Sequence, residues 1–200
     1  MKWICLLMML VLAGWARPVC AQTTQPAPAE WDQAVQTFAS ALASSDDHSK
    51  QQLSDDCIIR SFDSSTKQLA DLTAHTGGTN LLAAKAYLYP GGNIAGDIAT
   101  AVAGSIASDD VKKLLTPAEG GATDKANSVA ARWVQSLLSP ADADPFAVMV
   151  FYTGDVTHAD TTEAQILFVM VRGRKDSSGS YVISQVVYGN SQQAAVVAAR

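Results

Sequence analysis

The sequence predicts an α+β domain in which N-terminal helices pack on a curved antiparallel sheet, with a helical insertion and a C-terminal three-stranded meander. Three observations carry this. Trp31, Val35, Phe38, Ala39 and Leu42 recur at helical spacing on one face. Residues 146–153, 164–175 and 181–188 are rich in β-branched and aromatic side chains. The chain of 200 residues is 48% hydrophobic and 16% charged, too apolar for disorder and without the periodic Gly or Pro of a fibre.

The elements follow in order. Lys2 and the apolar run 3–15 (WICLLMMLVLAGW) read as the n- and h-regions of a signal peptide, too short for a bilayer span. Val19-Cys20-Ala21 places a cleavage site after Ala21, and Arg17-Pro18-Val19 does not suit a lipobox around Cys20. The expectation is therefore a secreted or periplasmic chain with residues 1–21 as signal, 22–29 as flexible linker and 30–200 as one domain. Cleavage leaves 12 basic against 19 acidic residues, a formal charge of -7, which disfavours nucleic acid and anionic membranes as partners. It also leaves Cys57 alone, so no intramolecular disulfide forms and stability rests on the core.

The first helix is expected to end near Ser44. Asp46-Asp47-His48 breaks it, and residues 51–53 add a helical turn. Residues 57–62 read as a strand between Asp55-Asp56 and Asp63-Ser64. Ser65 to Gln68 has capping-box spacing for a helix that runs to His75 and stops at Gly77-Gly78. Thr79 then caps a further helix through Leu81, Leu82, Ala86 and Leu88, stopped by Pro90. The insertion, 91–140, carries Ile94, Ile98, Val102 and Ile106 every four residues, then a helix with Ala126, Val129, Ala130, Trp133 and Leu137.

Asp176-Ser177-Ser178-Gly179 reads as a four-residue hairpin loop. Pairing Lys175 with Ser180 sets Arg174 opposite Tyr181, Arg172 opposite Ile183, Met170 opposite Gln185 and Phe168 opposite Val187. The other face carries Leu167, Val169, Val171, Val182, Val186 and Tyr188. Neither face alternates with polar residues, so both are expected to be covered. Burying six such side chains contributes about 10 kcal/mol before entropy is subtracted. One cover is the N-terminal helix; the other is the insertion or a second copy of the chain.

An amphipathic helix, a short strand after an Asp pair (LSDDCIIRSFD), further helices and three long antiparallel strands resemble the NTF2-like (SnoaL-like, cystatin-like) cone fold over residues 30–77 and 146–190. The resemblance implies a curved sheet wrapped round a long helix and an open pocket. It implies no reaction, because the family includes both enzymes and binding modules.

Few residues carry chemistry. His48, His75 and His158 lack metal-ligand spacing, and Asp142-x-Asp144 lacks the rest of an EF-hand loop, so no metal and no cofactor are expected. Residues 91–96 approach P-loop spacing, but Asp97 stands where Lys is required. Cys57 in an apolar strand reads as an inert thiol, and no G-x-S-x-G occurs. Phe168, Met170, Arg172 and Gln185 share a face and are the candidate ligand-binding residues. The leading expectation is a non-catalytic domain that binds a small apolar or amphipathic molecule or a protein partner, with a cavity between Trp31-Phe38 and that face. The alternatives are an acid-base enzyme using Asp63, His75 or Tyr152, and a homodimeric module pairing through Leu167, Val169 and Val171.

Overall fold

The computed structural model describes residues 27–88, 144–158, 161–190 and 193. In it α1 (Ala29–Ser44) is followed by a short 3-10 helix (Asp47–Gln52), β1 (Leu53–Ser61), α2 (Leu69–Thr76), β2 (Asn80–Tyr87), β3 (Phe146–His158), β4 (Thr161–Lys175) and β5 (Tyr181–Asn190). The strands form one sheet in the order β1-β5-β4-β3-β2, antiparallel except for the β1–β5 pair. The fold is α+β. The expected signal peptide, residues 22–26 of the expected linker and the insertion 91–140 lie outside the described residues.

Helix α1 forms where its apolar period requires, and Trp31, Val35, Phe38 and Leu42 are fully buried. It ends on Ser45 in the left-handed conformation, with Asp46 N–H donating to the Ala41 carbonyl at 2.9 Å. Gly78 N–H donates to the Ala43 carbonyl at 2.8 Å, so the turn after α2 is tied to the end of α1.

The α1 stripe packs on Ala147, Met149 and Phe151 of β3, Leu167, Val169 and Val171 of β4, and Ile183, Val186 and Tyr188 of β5. Trp31 sits over the gap left by Gly173, where a Cβ would stand 2.6 Å from the indole. Its Nε1–H donates to the Phe146 carbonyl at 3.1 Å, and its ring lies 5.9 Å from that of Tyr181.

Side chains alternate across a strand, so Phe146, Val148 and Val150 of β3 lie beside Arg172, Met170 and Phe168 of β4 on the opposite face. The helix is therefore on the Leu167-Val169-Val171 side, and the expected cavity between Trp31-Phe38 and the Phe168-Met170-Arg172 face has no place in this architecture. The face expected to serve homodimer pairing is closed by α1 instead. The far face is also buried at its centre, with Phe146, Val150, Phe168 and Met170 all at 0% exposure.

Three local expectations are corrected. Residues 80–87 form a strand, because Leu81, Ala84 and Ala86 pack beneath α1 while the backbone pairs with β3. The capping box at the start of α2 uses Gln68 and Asp71 rather than Ser65 and Gln68; Gln68 N–H donates to the Asp71 carboxylate at 2.8 Å. The hairpin loop holds five residues, so Lys175 faces Tyr181 and Arg174 faces Val182. This slip puts Tyr181 and Ile183 on the α1 side. A bulge at Ser184, whose hydroxyl donates to the Arg172 carbonyl at 3.3 Å, then sets Arg172 opposite Gln185 and Met170 opposite Val187.

Candidate functional site

The longer loop and the bulge together displace the pairing by two residues, an even number that leaves the facing of the side chains as expected. Beyond the bulge, Phe168, Met170, Arg172 and Gln185 share a face, as the alternation of apolar and polar residues predicts, although Gln185 stands opposite Arg172 rather than Met170. Phe168 and Met170 are buried, whereas Arg172 and Gln185 are half-buried. Arg172 donates through Nε to the Asp144 carboxylate at 2.6 Å and pairs with the same oxygen through its terminal nitrogen.

This face continues onto β1. Ile58 lies beside Gln185 and Arg60 beside Val187, and neighbours in register share a face. Ile58 is 46% exposed, the one large hydrophobic side chain so exposed among the described residues. Arg60 is exposed too, while Val187 next to it is buried. The result is a row that passes from a buried centre (Phe168, Met170) through half-buried Arg172 and Gln185 to exposed Ile58. Chemically it offers apolar contact, amide hydrogen bonding and guanidinium charge on one surface.

The three catalytic candidates are engaged separately, and no hydrogen bond joins any two of them. The exposed Asp63 accepts from the Ser61 hydroxyl and from Ser65 N–H at 2.9 Å. The Ser61 hydroxyl, then that of Ser65, holds its carboxyl well below the usual carboxylate range. His75 is exposed, with Nδ1 2.6 Å from the Asp71 carbonyl and its ring 5.8 Å from that of Tyr188. Tyr152 is half-buried, and its hydrogen bond to Asp155 pushes its phenol above the ordinary value. His158 stands on the backbone opposite Thr161.

Cys57 is half-buried, and desolvation, reinforced by the Asp56 charge, pushes its thiol up to about 12. Among the described residues no group of His, Cys, Asp and Glu side chains is placed to hold a metal ion. No described helix is long and apolar enough to cross a membrane.

The residues that sequence reasoning missed are Ile58 and Asp144. Ile58 reads as core in an apolar strand, and only its place on an edge strand opens it to solvent. Asp144 looks like a fragment of a calcium loop, and its bond to Arg172 spans 28 positions. No family model, curated protein or solved structure matches the chain.

Proposed function

We propose that the protein is an exported, non-catalytic binding domain that holds an amphipathic ligand on the sheet face opposite α1, at the flank formed by Ile58, Gln185 and Arg172. The single observation that carries this reading is the row on that face, in which an apolar centre gives way to an amide, a guanidinium and an exposed isoleucine. Such a surface contacts an apolar body and orients it through a few polar groups. The signal-peptide pattern of residues 1–21, Lys2 followed by an apolar run, supports export.

The test is calorimetric titration of the chain after Ala21 with laurate as the amphipathic probe. Laurate binds, and Ile58→Asp weakens it by about tenfold, which corresponds to ~1.4 kcal/mol. Gln185→Ala weakens it less. Absence of laurate binding, or binding that Ile58→Asp leaves intact, contradicts the proposal.

The exposure of Ile58 favours a second reading, in which the apolar body belongs to a partner protein. An amphipathic peptide in the same titration, bound where laurate is not, selects that reading.

A further inference from the structure

Beyond the sheet proper, β3 and β4 continue together. Pairing of β2 with β3 stops at Asn80–Tyr152, and pairing of β5 with β4 stops at Leu167–Asn190. Five further residue pairs, from Gly154–Gln165 to His158–Thr161, join only β3 and β4. A register shift between Tyr152 and Gly154 marks the root of this arm, and Gly154 there has φ +125, a conformation that favours glycine. Among the described residues, neither edge of the arm is paired.

The other sheet edges are blunted. On β1, Ile59 accepts from Lys67 N–H at 2.9 Å and Ser61 N–H donates to the Ser65 carbonyl at 3.0 Å. On β2, Gln36 Nε2 donates to the Ala84 carbonyl at 2.9 Å, and Lys85 is exposed. The arm has no such guard, for residues 153–165 contain no Lys, Arg or Pro. The line of β5 is stopped short of it, because Asn190 N–H donates to Gln193 Oε1 at 3.0 Å and Gln193 N–H to Asn190 Oδ1 at 2.9 Å. Among the described residues, the β4 edge of the arm is thus left open where a strand would otherwise continue.

We propose that this edge, residues 161–165, takes up an extended cationic segment of a partner protein as an added strand. Backbone hydrogen bonds along an open edge supply affinity without demanding one sequence. Charge selects the partner. Residues 153–165 carry the acids Asp155, Asp160 and Glu163 and no Lys or Arg, in a chain of formal charge -5. A second copy would bring like charge to the same edge, whereas Lys or Arg in the added strand complements it. This site is separate from the Ile58 flank and does not depend on it.

The test uses the full chain and a fluorescein-labelled peptide of about twelve residues with alternating Lys, Thr and Val, read by anisotropy, together with its Glu-for-Lys analogue. The cationic peptide binds about tenfold more tightly than the acidic one. Replacing residues 155–164 with Asn-Gly removes binding and leaves the thermal midpoint unchanged, since the removed pairs touch neither β2 nor β5. Asp155→Lys with Glu163→Lys reverses the preference and guards against a shortened arm that fails to fold. Equal binding by the shortened chain, or an unreversed preference in the charge-swapped one, overturns the proposal. A dimer by light scattering that the shortening converts to monomer also overturns it, since the occupant is then a second copy.

Discussion

The Trp31–Gly173 contact shows how one residue's size is set by another's. Gly173 leaves room for the indole, and the indole N–H satisfies the Phe146 carbonyl at 3.1 Å. Gly173→Ala forces the ring aside and is expected to cost about 1–3 kcal/mol. Trp31→Phe keeps much of the apolar burial but removes the donor, and the orphaned carbonyl costs about 1–3 kcal/mol. Urea denaturation of both variants checks these values, and wild-type stability in either contradicts the packing described.

Cys57 gives a pH dependence with a definite sign. Its thiol stays protonated in the folded chain to about 12, while the unfolded thiol loses its proton near the ordinary value of 9.0. Above pH 9 the unfolded state binds fewer protons than the folded one, so stability falls as pH rises from 9 toward 12. Thermal midpoints measured from pH 8 to 10.5 fall more steeply for wild type than for Cys57→Ala. Parallel curves contradict the shift.

At the scale of elements, the turn between β1 and α2 is organised by Asp63, whose carboxylate accepts from Ser61 and Ser65. Its folded pKa lies below the ordinary 3.8, so its contribution is present above that value and is lost as pH falls through the folded pKa. Asp63→Asn is expected to flatten the loss of stability between pH 4 and pH 2, read by thermal midpoint. An unchanged acid limb contradicts that role.

Elements also show what the sequence can and cannot disclose. Helix α1 is legible because its period has one solution, and β3 to β5 are legible because β-branched runs that long have few other uses. The strand β2 is not. Its Ala-rich sequence has low β propensity, and only packing beneath α1 and pairing with β3 select the extended state. The register of β4–β5 is hidden for a different reason, because the loop closure at Ser180 and the bulge at Ser184 are backbone events with no distinctive residue. Period-two alternation still places Phe168, Met170 and Arg172 on one face, so that part of the candidate site is legible; Gln185 joins them because the loop and the bulge together shift the register by an even number of residues. Ile58 and Asp144 enter it through contacts between distant positions that no local pattern records.

For the whole molecule, what matters is which side of the sheet α1 occupies. With α1 on the Leu167-Val169-Val171 side, the row from Met170 to Ile58 lies on the opposite side, away from the helix. If the sides are exchanged, the proposed surface is buried under the helix. A nuclear Overhauser spectrum of the folded chain decides this directly. The account predicts cross-peaks from the Trp31 indole to Gly173 Hα and the Tyr181 ring, and from Phe38 to the Met149 and Val169 methyls. Cross-peaks from Trp31 or Phe38 to Phe168 or Met170 would contradict it.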